Sequence, residues 1–291
     1  MVSLKTLNAS AAITHYGLAI GFGAYFNYIN NKYPGTDVRG LELSVRDHAL
    51  NLTNNTGGSD VWISKETRVV QIKTIQTLLI AFFIITGTFH LFYYGTDDKG
   101  GYSGRIENNG LKNKYNQIIA GKNNYFRWIE YSITSTMMLY VIALSSGVKD
   151  TNIYAMLLAN NVAMIAMGQL IEENLRDGKP WWIPMVVSFA LLLSEFAIIA
   201  RSFWARLKEV NDFLKQNPSN DSKGIPSWLN AMIIVLFLLF SCFGFISLYG
   251  AYSGMKYESI EKLYLIFSFV AKATLGFFLA YGMGQRQSSS S

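Results

Sequence analysis

Apolar residues in this chain gather into runs of about twenty, the length a helix needs to cross a hydrocarbon core of roughly 30 Å. Such runs leave few folds open. In lipid every backbone N–H and C=O must find a partner inside its own segment or in a closed barrel. The runs are continuous rather than alternating, which selects helices. Seven are expected, at 11–29, 69–94, 125–145, 152–171, 181–200, 228–249 and 263–283. The fifth and sixth are the clearest, and residues 232–240 are wholly apolar. The first is the weakest, because His15, Asn27 and several glycines interrupt it. Trp181, Trp182 and Trp228 fall at span ends, where an aromatic belt lies. The chain therefore reads as an all-α membrane protein: a seven-transmembrane-helix bundle forming one domain over residues 1–286, with a polar tail at 287–291.

Composition agrees. Charged residues make up 15% of the chain, against about 25% in soluble domains. One cysteine, Cys242, allows neither an intrachain disulfide nor a cysteine-based metal site. The net charge of +6 comes without a basic block, so no nucleic-acid partner is expected. Ser, His and Asp do not gather at one depth, there is no glycine-rich phosphate loop, and the three histidines do not suffice for a typical catalytic zinc site unless carboxylates join them. No enzymatic activity and no metal centre are expected. The first thirty residues lack the layout of a cleaved signal, and 11–29 reads as a retained span.

The first loop, residues 30–68, is too long for a plain connector. Leu41-Glu42-Leu43-Ser44-Val45-Arg46 alternates at period two, Val61-Trp62-Ile63 is β-branched and aromatic, and Gly57-Gly58 lies between them. A small β-hairpin is expected there. Lys and Arg are shared almost evenly between the two sides, so the positive-inside rule is nearly silent. Two glycosylation-type sequons, Asn51-Leu52-Thr53 and Asn54-Asn55-Thr56, favour an outside position for this loop.

Ionisable residues inside a span are costly and are the first candidates for function. Lys73 lies near a span end and can snorkel. Deep in the spans remain Glu130, Glu195 and Lys272, with His15 and His90 as polar company. Lys272 sits mid-span, and a free ammonium there must be neutralised, paired or chemically modified. Such a lysine can form a Schiff base with an aldehyde; a structural ion pair is the plainer alternative. With the third and seventh spans running the same way, the lysine stem leans back toward Glu130. Ser268, one turn before Lys272, and both histidines fall at that level. Glu130, Thr134 and Met138 share one helix face, and Tyr131, Met138, Met164, Phe240 and Phe269 are candidate walls for a long unsaturated ligand. Glu195 is expected in the half of the bundle away from Glu130.

These residues carry a resemblance. Arg127-x-x-Glu130-Tyr131 followed by Thr134-Ser135, with Ser268-x-x-x-Lys272 in the last span, resembles microbial rhodopsins. The segments 126–132 and 268–272 are most similar to heliorhodopsins. Phe89-His90, His15, Asn161 with Met164, Glu172 and 237–243 support the likeness, which covers essentially the whole chain. The resemblance implies that Lys272 carries retinal, all-trans in the dark. Glu130 would be its counterion, and His15, His90 and Ser268 would form a polar, hydrated pocket. Phe240 would stand where other microbial rhodopsins have a tryptophan. It also implies a cell-membrane location, a cytoplasmic N-terminus with an extracellular C-terminus, and a homodimer.

Departures from light-driven pumps matter as much. The sixth span lacks a Trp-x-x-Tyr-Pro pattern, Val141 stands where an outward proton pump has its carboxyl donor, and Ser268 stands where pumps carry an aspartate. The leading expectation is a photoreceptor that acts on an unknown signalling partner. The second is a light-activated proton or ion channel or transporter, with Glu195 on its path. A transporter or receptor using a bare Lys272–Glu130 salt bridge, without retinal, is the third.

Overall fold

The computed structural model describes residues 2–32, 43–51, 61–70, 72–97, 113–148, 150–216 and 225–288. Its helices are α1 (Leu4–Lys32), α2 (Ile72–Gly95), α3 (Lys114–Ala120), α4 (Tyr125–Ser145), α5 (Thr151–Asp177), α6 (Trp182–Gln216), α7 (Ser227–Ser253) and α8 (Tyr257–Ser288). Strands β1 (Leu43–Asn51) and β2 (Val61–Val70) pair antiparallel, with an irregularity at Val45/Arg46. They extend beyond the alternating segments seen in the sequence. The residues expected to turn between them lie outside the described ones.

Each long helix packs on its neighbour in sequence, α4 taking the place after α2, and α8 closes the ring against α1. Side-chain bonds fix the directions. Asn30 with Gln76 and Asn8 with His90 set α1 antiparallel to α2. Trp128 with Glu172 and Asn161 with Ser135 do the same for α4 and α5. Arg127 with Glu261 and Glu130 with Lys272 show α4 and α8 running the same way.

Among the described residues five helices, α2, α5, α6, α7 and α8, are long and apolar enough to cross a membrane. The two remaining long helices, α1 and α4, hold Asn8 and His15, and Arg127, Glu130 and Thr134, all buried. Polar residues turned into the bundle lower the mean hydropathy of a helix without placing any charge in lipid.

Helix ends differ from the sequence expectation where polar residues continue a helix beyond an apolar run. α6 runs to Gln216 rather than stopping near residue 200, because Arg201, Arg206 and Lys208 end the hydrophobic stretch without breaking the helix. α8 begins at Tyr257, six residues before the expected 263, and runs into the polar tail as far as Ser288. Short α3, between α2 and α4, was not expected. Two glycines stop helices by taking left-handed conformations, Gly178 (φ 68°) after α5 and Gly254 (φ 62°) after α7.

Candidate functional site

Lys272 is buried on α8, and its Nζ donates to Glu130 Oε1 and to Ser268 Oγ, each at 2.8 Å. The lysine stem leans back one turn, which is why a residue four positions earlier meets its tip. Glu130 Oε1 also accepts from Thr86 Oγ1 at 2.7 Å and from Thr134 Oγ1 at 3.0 Å. Charge pairing with three further hydroxyl contacts makes burial of both ions tolerable. Thr86 is the residue here that the sequence reading missed; it lies one helical turn before His90 on α2, and that spacing was the available signal.

The histidines stand beside this pair, toward the start of α1. His15 Nδ1 lies 2.7 Å from the Ala11 carbonyl, which can only accept, so Nδ1 carries a hydrogen. His90 Nδ1 lies 2.8 Å from Asn8 Oδ1. The two rings stack with centroids 5.4 Å apart. Buried His15 Nε2 and Asn8 Nδ2 have no hydrogen-bond partner among the described residues. Polar atoms orphaned together in this way make a place for ordered water.

On the other side of Lys272 opens a narrow apolar space, walled by Tyr131, Thr134, Met138, Met164, Phe240 and Phe243 among others. A second narrow space shares Trp128, Met164, Ile165, Phe240 and Phe243 as walls and continues to Phe189 and Leu192 on α6. Together they form a slot with one amine at its end. Four of the five expected wall residues line it. Phe269 does not: it follows Ser268 by one residue, hence about 100° around the helix, and its ring meets His15 at 5.4 Å. Asn161 also stands behind the wall, its amide donating to Ser135 Oγ and Thr136 Oγ1 at 2.8 Å. Trp128, Ile165 and Phe243 are walls not singled out from sequence, since aromatic and branched residues in an apolar helix look alike whether they face lipid or a ligand. A Cβ at Gly168 would collide with the Trp128 ring, so the absence of a side chain there lets the indole lie against α5.

Beyond the slot, Arg127 is buried between Glu172 and Glu261 and pairs with both. Glu172 Oε2 accepts from Trp128 Nε1 at 2.9 Å and from Tyr257 Oη at 3.2 Å, and Asn124 Nδ2 donates to Glu261 Oε2 at 3.1 Å. The cluster ties together the ends of α4, α5 and α8. Glu261 was missed because its stretch read as loop.

Glu195 is fully buried on α6, and neither carboxyl oxygen has a partner among the described residues. Asn160 Nδ2 donates to Ser194 Oγ at 2.8 Å, and Asn161 reaches Ser135, a wall of the slot. Glu195 therefore lies near the level of the slot wall at Ser135, five residues along α4 from Glu130 in the direction expected from its place in the span. Arg201, six residues further along α6, is exposed and forms no ion pair with it.

The ring of helices with a buried lysine on the last one has the fold of rhodopsins. Among solved structures it is similar to the light-driven proton pump LR (Mac) from Leptosphaeria maculans, with TM-score 0.59 and 10% identity over 98% of each chain. It is also similar to a thermophilic rhodopsin, with TM-score 0.58 and 12% identity over 99% of this chain and 98% of that one. At these identities the likeness is one of fold. No curated protein matches the sequence. Residues 67–283 match the heliorhodopsin family, and the chain belongs to that family. Membership implies a retinal chromophore, a membrane setting and a response to light. The chemistry of the site fits such a group: one buried amine, paired with a carboxylate, stands at the end of an apolar slot.

Proposed function

We propose that this chain is a seven-span retinal photoreceptor, probed by light and read by a signalling partner, with no enzymatic role of its own. The observation that carries the reading is Lys272 Nζ at the end of the apolar slot, held against Glu130. Bound there, retinal supplies the absorption of visible light and a change of shape upon it.

The chain's own residues do the rest. Lys272 provides the amine for the Schiff base, and Glu130 the opposite charge that keeps that nitrogen protonated. Thr86 and Thr134 hold the carboxylate in place. Ser268 accepts from the nitrogen. His15 and His90, with the orphaned atoms beside them, offer a hydrated place to receive a proton. Tyr131, Met138, Met164 and Phe240 keep water from the apolar slot. In this reading the N-terminus is cytoplasmic, the C-terminus and the strand pair are extracellular, the membrane is the cell membrane, retinal is all-trans in the dark and the protein is a homodimer.

Expression with all-trans retinal followed by an absorption spectrum, before and after hydroxylamine, tests the reading. A visible band that hydroxylamine bleaches supports it; a colourless protein overturns it and leaves a bare Lys272–Glu130 ion pair.

One observation favours a second reading, a light-activated proton conductor. A fully buried carboxyl without a protein partner, at Glu195, is a place where a proton can be stored. Unpartnered Asn161 Oδ1 lies on the neighbouring helix at a similar level.

A further inference from the structure

At the end of the bundle where α4 and α8 begin and α5 and α7 finish, a broad basin of about 740 Å³ opens outward. Its wall is apolar at Ile171, Leu175 and Ile260, and polar at Ser247, Tyr257 and Tyr264. Five charged residues also line it, and three of these have partners. Glu172 pairs with Arg127, Arg176 with Asp177, and Glu258 with Lys262. Lys122 and Lys256 remain, both exposed on the rim, with no carboxylate within salt-bridge distance among the described residues.

Lys122 has a second peculiarity. It is the one non-glycine residue with positive φ among the described residues, at 52°. It closes α3, with Lys122 N–H donating to the Ile119 carbonyl and Asn123 N–H to that of Ile118. Glycine normally fills this position in such a turn, because a Cβ is strained there. Gly121 stands one residue too early, at φ −75°. Lys122 thus holds a strained backbone conformation on the rim of the basin, at a position where glycine would be relaxed.

We propose that the basin binds a phosphate-bearing anion between Lys122 and Lys256, and that Tyr264 links its occupancy to the slot. Two unpaired ammonium groups suit a phosphomonoester, and the apolar wall suits an organic part attached to it. Tyr264 lines the basin, stacks on the Arg127 guanidinium at 4.0 Å, and accepts at its carbonyl from Tyr131 Oη at 3.2 Å. Tyr131 is a wall of the slot. The site stands on its own; only the link rests on the retinal reading.

Calorimetry on the purified full chain in detergent, at fixed ionic strength, tests the site without any chromophore. The probes are glycerol 3-phosphate and a water-soluble dihexanoyl phosphatidic acid. Saturable heat from both identifies a free phosphate ester as sufficient; heat from the lipid alone identifies a membrane lipid as the source. In either case Lys122→Gly and Lys256→Gln should each weaken binding at least tenfold, the loss expected for one charged hydrogen bond. Lys215→Gln, outside the basin, should bind as wild type. Lys122→Gly relieves the backbone, so its melting temperature should be no lower than wild type, which separates lost binding from lost folding. No saturable heat from either probe, or unchanged affinity in both basin variants, overturns the site. For the link, a saturating probe should shift the visible band of the pigment in wild type and not in Tyr131→Phe. A band that stays fixed while calorimetry shows binding overturns the link.

Discussion

Thr86 Oγ1 donates to Glu130 Oε1 at 2.7 Å, and the same oxygen accepts Lys272 Nζ. A threonine from α2 thus holds a carboxylate from α4 in position for an amine from α8. Thr86 is fully buried, so its hydroxyl has no water to turn to. Thr86→Val keeps the shape and removes the donor, leaving a buried carboxylate short of one hydrogen bond. The expected cost is about 1.5–3 kcal/mol, read as a lower melting temperature of the retinal-free protein, with a shifted visible band in the pigment. An unchanged melting temperature and band would remove Thr86 from the counterion's support.

Lys272→Ala should abolish the visible band altogether. Among the described residues no other lysine lines the slot, so none of them offers a second amine in its place. The measurement is the absorption spectrum of the purified variant after incubation with all-trans retinal. A retained visible band would end the assignment.

Glu130→Gln removes the opposite charge beside the Schiff-base nitrogen while keeping a hydrogen-bonding group of similar size. The protonated form should become easier to deprotonate, so the pH at which the visible band gives way to a near-ultraviolet one should fall. While the nitrogen stays protonated, the band should move to longer wavelength. Spectral titration of wild type and variant decides this, and superimposable curves would rule Glu130 out as the counterion.

The Arg127 cluster predicts a stability effect rather than a colour change. Arg127→Gln leaves Glu172 and Glu261 buried near each other without their common cation. Breaking a buried ion pair from one side costs about 3–5 kcal/mol. Glu261→Gln should cost less, because Arg127 keeps Glu172 and Asn124 still meets the replaced side chain. Melting temperatures of the two variants should therefore fall in that order; equal losses would contradict the pairing.

Lys272 and Glu130 were legible in the sequence because charge inside an apolar run has few explanations. The same argument found His15 and His90, and a four-residue spacing found Ser268. Trp128, Ile165 and Phe243 were not legible as walls, because hydrophobicity does not say which way a residue faces when lipid and ligand are both apolar. Phe269 was misplaced for the same reason. Glu261 was hidden by Glu258 and Lys262, which make the start of α8 look like a solvated loop; only the fold brings Arg127 to it. The ends of α6 and α8 were missed because a helix can outlast the apolar run that announces it.

Glu195 gives the sharpest test between the two functional readings. It is fully buried, lies near the level of the slot, and has no protein partner for either oxygen among the described residues. Holding a full charge there is costly without a donor or a cation, so the group is suited to carry a proton and to exchange it when its surroundings change. If the protein conducts protons, Glu195 stands on the path and light should evoke a current in a voltage-clamped cell that varies with external pH. Glu195→Gln keeps the size and hydrogen-bonding capacity but cannot exchange a proton. That variant should lose most of the current while keeping the visible band, since Lys272 and Glu130 are untouched. A wild-type protein that is coloured but carries no current would leave the sensory reading alone. A current of equal size in Glu195→Gln would keep conduction and take Glu195 off its path.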